Sequence, residues 1–200
     1  LDPEPGMYVN VVVLDFQSLY PSIIRTFQID PLGRRSMTSE TDDLVAPNGA
    51  RFAREPGILP ALIDELFPRR AEAKRVGDDV KSHAIKILMN SFYGVLGTSA
   101  CRFASAVLVN AITGFGREIL TWCRDAVERA GYRVIYGDTD SLFIVTDAED
   151  ATAARAVGCH LAESLSRDLA EHVAARWRVE RRLVVEFEKL YKTLVLPLMR

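Results

Sequence analysis

Three aspartates stand where apolar runs end, and their type and position suit the binding of a cation. Asp15 closes a β-branched run over residues 9–16, and Asp138 and Asp140 lie in a Gly-Asp-Thr-Asp segment that follows a second apolar run. Taken singly, an acid after a strand most often caps the next helix, and an acid in such a turn is most often a turn former. Carboxylates brought together by neighbouring strands repel each other unless a cation lies between them. Hard oxygen ligands select Mg²⁺, so the combination predicts a divalent-metal site whose substrate carries phosphate.

Basic and amide side chains recur at helical spacing in the middle of the chain. Arg70 and Lys74 are four residues apart, and Lys86 and Asn90 repeat that spacing further on. Such pairs share one helix face. A solvated charged face is the simplest interpretation of an isolated pair, and Glu72 nearby supports it. Beside a metal site, the same groups would bind and neutralise a transferred phosphate.

The elements that must position these groups follow the order strand, helices, hairpin, helix, strands. The patterns predict a strand over 9–16, a helix near 21–27, a long polar loop over 31–57, helices over 58–75 and 82–97, a helix over 105–130, a hairpin over 132–145, a helix over 151–177, and one long or two short strands over 182–199. We expect Pro68 to kink its helix and Gly131 to end another. This order predicts an α+β fold, with an antiparallel sheet backed by helices and an inserted helical hairpin.

Composition narrows the class of protein. The chain has 200 residues, is 48% hydrophobic and has a formal net charge of −2, which excludes disordered and collagen-like proteins and a general electrostatic attraction to nucleic acid. No apolar run approaches the ~20 residues that span a bilayer, so we expect no membrane partner. Three cysteines without a CxxC pair favour a reducing compartment. Because the chain opens without an initiator Met and stops just after a strand-like run, we expect a fragment.

Three longer motifs carry a resemblance to a known family. The segments DFQSLYPSII (15–24), KILMNSFYG (86–94) and YGDTDS (136–141) resemble motifs A, B and C of family B DNA polymerases, in the family's order and with compatible spacing. VEFEKLYK (185–192) looks like the palm strand after motif C. The resemblance covers residues 9–200, and FYGVLGTSACRF and LPLMR look nearest to the bacterial DNA polymerase II branch.

The resemblance implies a role for each matching residue. Asp15 and Asp140 would bridge two metal ions, with the Phe16 carbonyl as a further ligand and Asp138 as a secondary catalytic acid. Glu188 would approach the ions from a neighbouring strand, unless it is an ordinary solvent-facing acid. The implied nucleotide-binding residues are Ser18, Leu19 and Tyr20 through their backbone amides and Arg70, Lys86 and Asn90 through their side chains, with Lys74 as a further candidate. Tyr20 would also exclude a 2′-hydroxyl, unless it is a core aromatic. Tyr93 and Gly94 would pack near the nascent base pair.

The implied architecture is a palm with a ferredoxin-like core and inserted fingers. Residues 1–57 would form the first part of the palm, 58–97 the fingers and 98–200 the second part of the palm. The implied reaction adds deoxynucleotides to a primer 3′-hydroxyl with two Mg²⁺ ions per active site. The implied partners are primer–template DNA and deoxynucleoside triphosphates, with a sliding clamp as a further candidate through regions outside these 200 residues. The implied location is the cytoplasm, at the bacterial nucleoid.

Two other classes of protein could carry acids in a similar arrangement. A palm-type nucleotidyl cyclase also places acids on a strand and a hairpin, but it has no need of Lys86, Asn90 and Tyr93 on a helical hairpin. A degenerate polymerase module that only binds DNA or a partner would tend to lose its catalytic acids. The family's exonuclease domain, KKRY-type segment and thumb do not appear in these 200 residues. We therefore expect the isolated chain to be weakly active or inactive.

Overall fold

The structure is a computed structural model that describes residues 3–35, 42–180 and 182–198. The chain divides into two compact units. We call Leu1–Gln17, Arg117–Arg178 and Leu183–Arg200 the sheet unit, and Ser18–Gly116 with Val179–Arg182 the helical unit. The palm and fingers boundaries at residues 57 and 97 stay a prediction.

Five helices and seven strands occur in the described residues. In chain order they are β1 (Gly6–Phe16), α1 (Leu19–Thr26), β2 (Arg34–Arg35), β3 (Leu44–Val45), β4 (Arg51–Phe52), α2 (Ile58–Arg75), α3 (Asp79–Gly97), α4 (Ala106–Arg129), β5 (Arg133–Asp138), β6 (Ser141–Val145), α5 (Ala151–Trp177) and β7 (Val185–Leu196). The predicted α+β class with an antiparallel sheet is confirmed. None of the described helices combines the length and apolar character needed to cross a membrane.

A four-stranded antiparallel sheet organises the sheet unit, with the strand order β5-β6-β1-β7. Its central strand β1 is rich in β-branched residues, and Val11, Val12, Val13 and Leu14 are all almost fully buried. Burial of four consecutive residues on both faces of the pleat is typical of a central strand. Residues 11–14 of β1 therefore belong to the core of the sheet unit, and Asp15 follows them directly.

Helix α5 covers one face of this sheet. Asp150 caps it by accepting hydrogen bonds from Thr152 N (2.8 Å) and Ala153 N (2.7 Å), which explains why the helix begins at Ala151. Gly158 lies in the middle of α5, where a Cβ atom would stand 2.5 Å from Cδ2 of Phe187 and 3.2 Å from Cγ1 of Val12. The close approach of α5 to strands β1 and β7 therefore requires glycine at this position.

Replacing Gly158 with alanine should destabilise the sheet unit. The gain in helix propensity is about 1 kcal/mol, whereas overpacking against Phe187 and β1 costs roughly 1–3 kcal/mol, so the net change is a loss of stability. Chemical denaturation of the 200-residue chain measures it. Gly97→Ala is the matched control, because its Cβ would lie an ordinary 3.6 Å from Val109. Equal stability of the two variants would contradict the packing argument.

The helical unit is built from α1, α2 and α3, which pack against one another. Helix α2 continues across Pro68, whose missing N–H removes one backbone hydrogen bond. Asp78 caps α3 by accepting a hydrogen bond from Lys81 N at 2.9 Å, so α3 begins at Asp79, three residues before the predicted start. The two helices thus form the predicted hairpin, with Gly77 in a left-handed conformation at the turn.

Short strands interrupt the segment that the sequence predicted to be a long polar loop. Strands β2, β4 and β3 form a small sheet in that order, and a turn at Gly49 (φ 82°) joins β3 to β4. Leu44 and Phe52 are only 2% and 0% exposed, so this small sheet buries apolar side chains of its own. The prediction was wrong for this part because two-residue strands carry too little periodicity to be detected. Residues 36–41 of the segment lie outside the described residues.

Candidate active site

Carboxylates form a row across the end of the sheet in the sheet unit. Asp138 on β5 is paired with Ser141 on β6, Ser141 with Asp15 on β1, and Asp15 with Glu186 on β7. Residues directly opposite each other on antiparallel strands share a face, with Cβ atoms about 4.5–5.5 Å apart. The sheet therefore brings Asp15, Asp138 and Glu186 to one edge and one face, although they come from three distant parts of the sequence.

A bulge in β7 decides which glutamate enters this row. Val13 is opposite Lys189, but Leu14 is opposite Phe187, so Glu188 is the extra residue between them. An extra residue shifts the register beyond it by one position. Asp15 consequently faces Glu186, and Phe187 faces Leu14 on the side covered by α5.

Glu188, the residue singled out by the resemblance, lies at the bulge. It accepts a hydrogen bond from Lys189 Nζ at 3.1 Å, and this bond raises the pKa of Lys189. Its approach to a metal ion stays a prediction. The resemblance does not include Glu186, and strand alternation alone cannot separate the two, because it places residues 186 and 188 on the same face. Only the bulge distinguishes the two glutamates.

Asp140 joins the hairpin turn to the end of β1. The turn between β5 and β6 consists of Thr139 and Asp140, and the carbonyl oxygen of Asp140 accepts a hydrogen bond from Phe16 N at 3.0 Å. Asp138 accepts hydrogen bonds from Thr139 N (2.9 Å) and Thr139 Oγ1 (3.2 Å), so it also stabilises the turn. Asp138 therefore stabilises the turn and also belongs to the carboxylate row. Asp15 and Asp140 are both half-buried.

The donor chemistry of this edge fits a hard divalent cation. Its acids offer only oxygen atoms, and Mg²⁺ is typically held by one or two carboxylates together with substrate phosphates and water. Across residues 3–35, 42–180 and 182–198, no cluster of three or more His, Cys, Asp or Glu side chains has the geometry of a complete metal site. The carboxylates at this end of the sheet therefore have the donor chemistry that a hard divalent cation prefers.

In the helical unit, the N-terminus of α1 lies beside an arginine of α2. Ser18 precedes α1 in a left-handed conformation (φ 54°), and its hydroxyl does not cap the helix. Its Oγ instead accepts a hydrogen bond from a terminal nitrogen of Arg70 at 3.0 Å. Arg70 Nε is buried and has no hydrogen-bond partner among the described residues. A helix N-terminus next to a guanidinium is a favourable place for a phosphate group.

An ion-pair cluster at Asp64, nearly two turns before Arg70, holds α2 against α1. Asp64 of α2 forms a two-oxygen ion pair with Arg182 and lies 3.5 Å from Arg25 of α1. The Arg25 guanidinium also lies 3.6 Å from the ring centroid of Phe67, and burial lowers the pKa of Arg25. Phe67 lies three residues before Arg70 on α2, so the contact of Arg25 with Phe67 holds the part of α2 that carries Arg70 close to α1.

Helix α3 carries a polar and aromatic stripe. Lys86, Asn90 and Tyr93 follow one another at helical spacing, and Lys86 and Asn90 are exposed. The ring of Tyr93 contacts the ring of Tyr20 on α1, with centroids 4.3 Å apart and planes tilted by 31°. Gly94, the next residue of α3, is exposed. Of the other predicted nucleotide-binding residues, Lys74 on α2 is exposed and Leu19 on α1 is buried. Within the helical unit, Arg70 therefore donates a hydrogen bond to Ser18, and the ring of Tyr93 contacts the ring of Tyr20.

Comparison with known proteins identifies related chains. Residues 1–198 match the model of DNA polymerase family B. The chain is 40% identical to DNA polymerase II of Escherichia coli (strain K12) over 100% of this chain and 26% of that protein. It is 34% identical to a DNA polymerase of Thermococcus gorgonarius over 75% of this chain and 21% of that protein.

A solved structure agrees with these sequence matches. The family B DNA polymerase from the hyperthermophilic archaeon Pyrobaculum calidifontis superposes with a TM-score of 0.69 and 29% sequence identity, over 98% of this chain and 25% of that one. The chain thus spans about a quarter of the length of the relatives it matches.

Proposed function

This chain belongs to DNA polymerase family B, and on that basis we propose that it forms the palm and fingers of a DNA-directed DNA polymerase. The observation that carries the proposal is the carboxylate row at the sheet edge, with Asp140 attached to β1 by the bond from Phe16. Retention of Asp15, Asp138 and Asp140 favours a catalytic chain over a degenerate module, and the family match favours a polymerase over a nucleotidyl cyclase.

The proposed reaction is an in-line displacement at phosphorus. The primer 3′-oxygen forms a bond to the α-phosphorus of a deoxynucleoside triphosphate, the bond to the bridging oxygen of the β-phosphate breaks, and pyrophosphate leaves. The hydroxyl proton is lost to solvent. Little covalent chemistry is left to the protein, so catalysis consists of positioning and charge neutralisation.

The carboxylate edge is the proposed place for two Mg²⁺ ions. Asp15 and Asp140 would each give carboxylate oxygens, the Phe16 carbonyl would give a backbone oxygen, and Asp138 and Glu186 would add negative charge nearby. When bound, such ions stabilise the charge that develops on the attacking and leaving oxygens. The protein's own contribution is a set of acids that the sheet orders before any ligand arrives, which lowers the cost of organising them.

The helical unit is the proposed source of triphosphate contacts. Backbone amides of Ser18, Leu19 and Tyr20 would face phosphate oxygens at the N-terminus of α1. Arg70 already lies at this N-terminus, and its buried Nε offers a further donor. Lys86 and Asn90 would complete the set from α3, and Lys74 would add a positive charge from α2. The remaining proposed partner is primer–template DNA, in the bacterial cytoplasm.

Primer extension by the full-length protein that carries this chain tests the proposed function. We expect template-directed addition of deoxynucleotides that requires a divalent cation and stops when the cation is chelated with EDTA. Nucleotide addition that ignores the template, or cyclisation of the triphosphate, would contradict the proposal.

The isolated 200 residues should bind primer–template weakly and extend it little at physiological salt. Affinity for duplex DNA comes mainly from Lys and Arg contacts with phosphate, and the chain has a formal net charge of −2. Fluorescence anisotropy with a labelled primer–template measures the affinity, and the same substrate reports extension. Robust, processive synthesis by the isolated chain would show that it contains the DNA-binding surface it needs.

A further inference from the structure

Gly116 lies beside the aromatic ring of Tyr20, which is proposed to select the sugar. It is buried in the middle of α4, within the helical unit. A Cβ atom at this position would stand 3.5 Å from Cε1 of Tyr20, 3.4 Å from Cδ1 of Ile23 and 3.7 Å from Cδ2 of Leu19. These are ordinary van der Waals distances, so a methyl group fits where glycine leaves a small space.

Neither packing nor backbone conformation explains a glycine here. No clash excludes alanine, and the φ angle of Gly116 does not lie in the left-handed region. Glycine inside a helix is less favourable than alanine because it loses more backbone freedom on folding. Glycine at position 116 therefore makes α4 less stable than alanine would, and it leaves room beside Tyr20.

Tyr20 also contacts a second aromatic ring and belongs to a helix that is anchored in the core. Its ring contacts the ring of Tyr93 with centroids 4.3 Å apart, and its own helix α1 is buried at Leu19, Ile23 and Ile24. Because Leu19, Ile23 and Ile24 hold the backbone of α1 in the core, a displaced Tyr20 ring would move as a side chain, and the space beside Gly116 lies within its reach. Steric selection depends on how far the excluding group can yield, because each small displacement relieves part of the clash.

We propose that Gly116 is a positioning residue for sugar selection, which acts by setting how far the Tyr20 ring can retreat from a 2′-hydroxyl. This inference rests on the proposed polymerase function and on the role of Tyr20. The substrates it distinguishes are ribonucleoside and deoxyribonucleoside triphosphates. A methyl group at position 116 fills the space, so the ring excludes the larger sugar more strictly.

Single-nucleotide incorporation by the full-length protein tests this inference. In Gly116→Ala, kcat/KM for the deoxyribonucleotide should stay within about twofold, while kcat/KM for the ribonucleotide falls roughly threefold to tenfold. Gly114→Ala is the control for a methyl group added to α4, because it makes the same change two residues earlier and its Cβ would stand 3.3 Å from Pro47, at least as tightly packed but away from Tyr20. Its discrimination between the two sugars should equal that of the wild type.

A double-mutant cycle separates action through Tyr20 from a general effect of the new methyl group. In the Tyr20→Ala background, Gly116→Ala should no longer change sugar discrimination. An equal change in both backgrounds, or no change in the wild-type background, would overturn the inference. If Tyr20→Ala relaxes selection while Gly116→Ala does nothing, the proposed polymerase function stands and only this inference fails. If the wild type does not extend primers, both fail.

Discussion

Asp140→Asn is expected to lower primer extension by the full-length protein about 10³-fold or more while leaving its affinity for primer–template DNA nearly unchanged. The substitution keeps the size of the side chain and removes one negative charge from the group of acids at this end of the sheet. Loss of that charge weakens both cation capture and stabilisation of the transition state, whereas duplex binding depends on other contacts. Single-turnover extension and DNA-binding isotherms, recorded on the same preparation, measure the two effects separately.

Asp168→Asn is the matched control for this prediction. Asp168 lies on α5 with its side chain 59% exposed and pairs only loosely with Arg167, at 4.0 Å. Its amide variant should extend primers like the wild type. A fully active Asp140→Asn protein, or one that loses DNA affinity in proportion to activity, would contradict the assignment of Asp140 to catalysis.

The same assay compares the two glutamates of β7. Glu186 lies opposite Asp15, whereas Glu188 lies at the bulge with Lys189 as its partner. Glu186→Gln should therefore slow extension more than Glu188→Gln does. The reverse order would mean that the bulge directs Glu188 toward the reacting groups.

Tyr20→Ala is expected to raise incorporation of ribonucleotides relative to deoxyribonucleotides by roughly 10²-fold. The ring would exclude a 2′-hydroxyl by direct overlap, so its removal relieves the clash with the wrong sugar and costs the correct substrate less. The Tyr93 ring, with its centroid 4.3 Å from that of Tyr20, restrains the Tyr20 ring on one side, and steric exclusion depends on such restraint. The ratio of kcat/KM values for the two sugars is the quantity to measure.

Tyr20→Phe provides the control, because it keeps the ring and removes only the hydroxyl. Its sugar discrimination should remain close to that of the wild type. Unchanged discrimination in Tyr20→Ala, accompanied by lower stability, would assign Tyr20 to core packing, the alternative that the sequence left open.

Local signals predicted most of the elements well. Helix α5 has the predicted bounds because Asp150 supplies a cap and an alanine-rich stretch follows it. The hairpin of β5 and β6 was predicted from two apolar runs around one turn, although Gly137 and Asp138 belong to β5 and only Thr139 and Asp140 form the turn. The small sheet of β2, β3 and β4 escaped prediction because its strands are too short to show a period.

The sequence by itself determined the family, the α+β class and the identity of the acids and basic residues, because these depend on residue type, order and periodicity within short segments. Only the tertiary structure decided which glutamate faces Asp15, that Arg70 reaches Ser18, and that Gly116 leaves room beside Tyr20. The physical reason is that each of these facts depends on pairing between segments far apart in the chain. Residues 186 and 188 have the same place in the strand's alternation, and a single bulge against β1 separates their roles.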